Sequence, residues 1–155
     1  MPEAVVNGIS IHYEEHGAGE PLILAHGHST SLEMWEHQVG PFSAKYRLVI
    51  YDLRGHGRSE APEDLASYTM DVYAQDQAAL MDHLGIDKAY IGGLSMGGYL
   101  AFAFWRRHPR RVSALILADT RAGADSEEAR AKRREMPVVE LSLAIAKKVL
   151  QREVS

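Results

Sequence analysis

A short apolar run, Ala89-Tyr90-Ile91-Gly92, leads into Gly93-Leu94-Ser95-Met96-Gly97 and then into a helical pattern that Pro109 stops. A buried strand, a sharp turn and a helix in that order constrain the fold more than any other stretch. A serine between glycines at ±2 fits a crowded strand-to-helix turn, because Gly93 and Gly97 omit the Cβ atoms that would collide there. Such a turn can hold a nucleophilic hydroxyl clear of the backbone. A plain glycine-rich turn is the blander reading of the string, and the strand before it and helix after it favour the first.

The same alternation runs along the chain. Val5-Val6-Asn7-Gly8-Ile9 to Tyr13 reads as two antiparallel strands about an Asn-Gly turn. Pro21-Leu22-Ile23-Leu24-Ala25, Arg47 to Tyr51, Ala89 to Gly92 and Val112 to Ala118 are continuous apolar runs, as expected of strands buried on both faces. Three helices fall between them. Thr30-Ser31-Leu32-Glu33 resembles a capping box opening the first. Tyr73, Gln77, Leu80, Met81 and Leu84 share a face of the second, which Gly85 can end, and the third runs from Met96 to Arg107. This pattern predicts an α/β fold with a mostly parallel sheet of about six strands flanked by helices. Ligands then gather at the carboxyl ends of the strands. His26-Gly27-His28-Ser29, the Asp52 to Ser59 segment, Ser95 and Asp119-Thr120-Arg121 all follow such ends.

Composition narrows the class. The chain has 155 residues, 46% apolar and 25% charged, enough for one core and ordinary for a soluble domain. It lacks cysteine, so disulfides and thiolate metal sites are excluded. No stretch reaches the length of a membrane span, and the N-terminus lacks a basic region followed by an apolar one, so a cytoplasmic protein is expected. The net charge is −4, with acidic residues dominating to about residue 105 and basic ones after it. Glu127, Glu128, Glu135, Glu140 and Glu153 are interleaved with the later basic residues, which fits a solvated helix face better than a nucleic-acid track.

His26-Gly27, Asp52-x-Arg54-Gly55-His56-Gly57-x-Ser59 and Gly93-x-Ser95-x-Gly97, in this order and spacing, resemble the α/β-hydrolase superfamily over about residues 5–122. Glu33-Met34-Trp35-x-x-Gln38 and Ser95-Met96-Gly97-Gly98 look like its esterase, perhydrolase and 3-oxoadipate enol-lactonase branch. The resemblance implies an acyl-enzyme formed on Ser95, with oxyanion donors in the backbone N–H groups of His28 and Met96. It implies no metal and no organic cofactor. Serine at this position argues against haloalkane dehalogenases and epoxide hydrolases, whose relatives place aspartate there. Gly55 and Gly57 are read as permitting a tight loop that Asp52 and Arg54 tie down, with His56 beside them. His26 is read as bracing the oxyanion loop through its ring, and Trp35 and Tyr99 as core.

A serine hydroxyl needs a base, usually a histidine oriented by a carboxylate. The superfamily order is serine, acid, histidine. After Ser95 the only histidine is His108, at the far end of the third helix and roughly 18 Å away at 1.5 Å per residue. Asp119 follows the last strand, where some relatives carry their acid, but a turn or capping aspartate is the favoured reading. His28 and His56 sit on the correct rim and make poor bases without an orienting carboxylate. The chain is therefore expected to be the N-terminal part of such an enzyme, ending before the triad acid and histidine.

Residues 1–122 are assigned to the core and 123–155 to a helical segment beginning a cap. The expected function is a serine hydrolase of a small carboxylic ester or lactone, with low turnover by this chain. The alternatives are a non-catalytic half-domain needing a complementary chain, and a C–C hydrolase or cofactor-free perhydrolase. An open sheet edge and a wide apolar face on the terminal helix predict self-association.

Overall fold

The structure is a computed structural model that describes residues 2–123, 126–128 and 131. Six strands form one sheet in the order β1-β2-β4-β3-β5-β6. They are β1 (Glu3–Val6), β2 (Ile9–His16), β3 (Glu20–Ala25), β4 (Tyr46–Tyr51), β5 (Ala89–Leu94) and β6 (Val112–Ala118). The helices are α1 (Glu36–Ser43), α2 (Met70–His83) and α3 (Met96–Arg107).

β1 and β2 are an antiparallel hairpin whose turn needs two left-handed residues; Asn7 and Gly8 supply them at φ 48° and 79°. β2 also runs antiparallel to β4, while β4, β3, β5 and β6 are mutually parallel. From β3 the chain moves to β4 on one side and later to β5 on the other. The strand order therefore reverses at β3, and a crevice opens beyond the carboxyl ends of β3 and β5.

The continuous apolar runs have the expected cause, since alternate residues of one strand enter different cores. Leu22, Leu24, Leu48 and Ile50 pack with Leu32 and Trp35 on the α1 side. Ile23, Ala25, Val49, Tyr51 and Ile91 pack with Tyr73, Leu80, Leu100 and Phe104 on the side of α2 and α3. Each large apolar side chain buried this way contributes about 1.5–3 kcal/mol.

Two expectations are corrected. The first helix opens one residue later than the capping box implies. Ser31 is the cap, its hydroxyl accepting the Glu33 N–H at 3.3 Å, and a 3₁₀ turn over Leu32–Trp35 precedes α1. Thr30 is drawn away because its hydroxyl donates to the Gly27 carbonyl at 2.8 Å. The second correction concerns β6, which is not buried on both faces. Ile116 and Leu117 are each 42% exposed, because among the described residues β6 is the last strand of the sheet. Most of the expected cap, including the helix from Val138 to about Arg152, lies outside the described residues. No helix among the described residues is long and apolar enough to cross a membrane.

Candidate active site at the β3 and β5 strand ends

Ser95 stands between the last residue of β5 and the first of α3, with φ 52° and ψ −109°. A side-chain-bearing residue in that region carries a strain on the order of 1–3 kcal/mol, which the surroundings must impose. They do so from both sides. The Ser95 N–H donates to the Ala118 carbonyl at 3.0 Å, while its own carbonyl accepts the Thr120 hydroxyl at 2.9 Å and the Gly98 N–H at 2.9 Å.

The glycines around it are demanded by close approach. A Cβ on Gly93 would overlap the Gly97 backbone, and one on Gly97 would overlap the Ala25 carbonyl and lie 2.9 Å from that of His26. One on Gly98 would run into the Thr120 side chain. α3 is thereby pressed onto the ends of β3 and β5. On the facing loop, a Cβ on Gly27 would sit 3.8 Å from the Ser95 Cβ and 3.1 Å from Leu94 Cδ2. The segment carrying His28 thus passes directly beside Ser95. Met96 opens α3, whose first N–H groups and positive dipole end face the same place. An oxygen gaining negative charge there would meet the favourable field of that helix end.

Behind this rim the other motif residues are held in place. His26 is fully buried. Its Nδ1–H donates to the Gly27 carbonyl at 2.7 Å and its Nε2 accepts the Leu53 N–H at 3.0 Å, which fixes a neutral tautomer. Burial, then the neighbouring His56 ring at 5.1 Å, lowers its pKa to about 3. His56 is also buried, donates from Nδ1 to the Arg54 carbonyl at 3.1 Å, and has its pKa pushed down by burial. Both imidazoles are therefore structural members of the loop, and neither ring is held by a carboxylate in the way a catalytic base requires.

Asp52 links the two loops. Its carboxylate accepts the Leu32 N–H at 2.7 Å and the Arg58 N–H at 2.9 Å. Gly57, at φ 51°, is needed because a Cβ would overlap that carboxylate. Arg54 acts elsewhere. Its guanidinium grips Asp76 of α2 through two hydrogen bonds of 2.8 Å. Asn7 of the hairpin turn donates to the same carboxylate at 2.7 Å. Asp119 is exposed at φ 45°, in a turn immediately after β6. His108 ends α3 at the opposite end from Ser95. A polar cavity of about 60 Å³ opens between His12, Glu14, Ser31, Asp52 and Arg58, on the β2 side of the loops; Ser95 does not line it.

Sequence reasoning missed Asp76, and it named Gly98 and Thr120 within motif segments without seeing that they meet. Gly98 stood in plain view as the second glycine of a pair, but only the crossing of α3 over Thr120, two residues past β6, reveals its use.

Residues 20–140 match the model of the alpha/beta hydrolase fold family. The chain belongs to that family. Among solved α/β-hydrolases it is similar to a thermophilic esterase from Thermogutta terrifontis, at 40% identity and TM-score 0.77, over 86% of this chain and 50% of that one. It is also similar to the enol-lactonase from Burkholderia xenovorans LB400, at 38% identity and TM-score 0.78, over 85% and 52%. Epoxide hydrolase 3 of Xenopus tropicalis is 39% identical over 113 residues, 72% of this chain and 31% of that protein. The chain spans about half the length of these solved relatives and less than half that of the curated relatives it matches.

Proposed function

We propose that the chain carries the nucleophile half of a serine hydrolase acting on a carboxylic ester or lactone. In this reading Ser95 Oγ attacks the acyl carbonyl and forms an acyl-enzyme. The backbone N–H groups of His28 and Met96 receive the developing oxyanion. His26, Gly27 and Asp52 hold the loop that presents His28, His56 packs against the His26 ring, Arg54 anchors the neighbouring loop to Asp76 of α2, and Gly93 and Gly97 let the elbow close. The observation that carries the reading is the strained Ser95 backbone pinned between Ala118 and Thr120, with the Gly27 loop packed against its Cβ. A serine at the elbow and the names of the two solved relatives support an ester or lactone over an epoxide. Bond cleavage needs no metal or organic cofactor in this scheme.

A second reading, a half-domain that needs a complementary chain, is favoured by the commitment of His26 and His56 to loop structure. It leaves Ser95 without a base that either ring could supply. Residual turnover would then come from the oxyanion donors and binding alone. Labelling with a fluorophosphonate separates the two. Stoichiometric labelling that Ser95→Ala abolishes, with folding unchanged, supports the hydrolase; a folded chain inert to the reagent supports the half-domain.

A further inference from the structure

We infer that Thr30 is a positioning residue for the oxyanion donor: its hydroxyl, together with the His26 ring, aims and polarises the Gly27–His28 peptide group. This role rests on the proposed contact between the His28 N–H and the oxyanion, and it names the side chain that controls that N–H.

The Gly27 carbonyl and the His28 N–H are two ends of one peptide unit, which is planar and trans. The N–H therefore points opposite to the carbonyl, and whatever fixes the one fixes the other. Two donors converge on that carbonyl. The His26 Nδ1–H reaches it at 2.7 Å and the Thr30 hydroxyl at 2.8 Å. A carbonyl oxygen has two lone pairs, so this pair of bonds saturates it. Thr30 Oγ1 also lies 3.4 Å from His26 Nδ1 and 3.5 Å from Met34 Sδ, but its one proton goes to the carbonyl, the nearest acceptor. On the other side of Gly27, its own N–H donates to Met34 Sδ at 3.4 Å. Both peptide groups that flank Gly27 are thus held, at a Cα whose added Cβ would lie 3.8 Å from that of Ser95.

The backbone bends to make the Thr30 bond. Ser29 takes a left-handed φ of 59° and turns the chain back, so that the side chain of residue 30 meets the carbonyl of residue 27. Serine lacks the ease of glycine in that region, and the bond helps to offset the cost. His26 is equally committed, because its Nε2 accepts the Leu53 N–H at 3.0 Å. Donation to a carbonyl draws electron density from the amide nitrogen and strengthens the N–H as a donor, by about 10–30% per bond. Thr30 itself is exposed and lies outside both apolar cores. Its substitution should leave the fold intact and act on that one peptide.

Thr30→Val keeps the shape of the side chain and deletes the hydroxyl; Thr30→Ser restores it. The concentration dependence of fluorophosphonate labelling at Ser95 separates reagent binding from bond formation. The limiting rate of Thr30→Val is expected to fall about 3–10-fold, the worth of one hydrogen bond and well short of the about 10²–10³-fold that loss of a donor costs. The half-saturating concentration should stay put, and Thr30→Ser should recover most of the rate. The His28 amide nitrogen should resonate upfield of its wild-type position in Thr30→Val and close to it in Thr30→Ser. Equal labelling of wild type and a folded Thr30→Val overturns the inference and leaves Ser95 standing as the nucleophile. A wild type inert to the reagent strikes the nucleophile reading instead, and the amide nitrogen then decides for Thr30. A resonance that Thr30→Val leaves in place overturns the inference; one that moves, and returns in Thr30→Ser, upholds it.

Discussion

Arg54 of the loop after β4 and Asp76 in the middle of α2 form a bidentate ion pair, two contacts of 2.8 Å between side chains only 6% and 2% exposed. Planar guanidinium and carboxylate fit each other in this arrangement, and Asn7 completes it from the hairpin. The pair ties three distant segments into one unit beneath the rim that carries Ser95.

Breaking that pair from one side should be severe. Asp76→Ala leaves a buried guanidinium uncompensated and is expected to lower unfolding free energy by about 3–5 kcal/mol in urea titration. Arg54→Met combined with Asp76→Leu removes both charges and should cost clearly less. A double variant no more stable than Asp76→Ala would refute the electrostatic account.

The crossing of α3 over Thr120 makes a reciprocal prediction. Gly98→Ala should destabilise the fold by about 1–3 kcal/mol through overpacking, although alanine ordinarily favours a helix. Adding Thr120→Ala opens the space and should recover most of the loss, less the roughly 1 kcal/mol of the Thr120–Ser95 hydrogen bond. Thermal or urea unfolding of the three variants measures the coupling.

Ser95 sits where glycine is at ease and other residues are not. Ser95→Gly should therefore raise stability by about 1 kcal/mol while removing all fluorophosphonate labelling. Stability that falls or stays level would mean the backbone torsion is not strained.

Acid should weaken the fold through the two loop histidines. The unfolded chain binds their protons near pH 6.5, whereas His26 holds off until about pH 3 and His56 is also shifted down. Between those limits the unfolded state binds more protons, so stability falls as pH drops from about 6.5, by up to about 1.4 kcal/mol per unit for each histidine. Below about pH 3 the His26 share levels off. His26→Gln should flatten the dependence by its share in urea titrations across this range.

The strands and helices were legible because burial on both faces demands unbroken apolar runs, and caps and breakers such as Gly85 and Pro109 mark ends locally. The elbow was legible for a related reason: Gly93 and Gly97 answer to steric contacts within a few residues. What escaped was set at a distance. Thr30 has the chemistry of a cap, yet the Gly27 carbonyl competes for its hydroxyl. β6 has the composition of a central strand, and exposure depends on neighbours that composition does not specify. Asp76 looks like one more solvent-facing acid on α2 until the fold brings Arg54 against it.

The hold that Ala118 and Thr120 exert on Ser95 has a consequence for biosynthesis. A chain made from its N-terminus exposes the serine well before the residues that clamp it. Until β6 emerges from the ribosome, the turn at Ser95 is free to relax into an ordinary torsion. The strained shape of the elbow is therefore set only once Ala118 and Thr120 have emerged, and a nascent chain halted before Ala118 should carry a slack one.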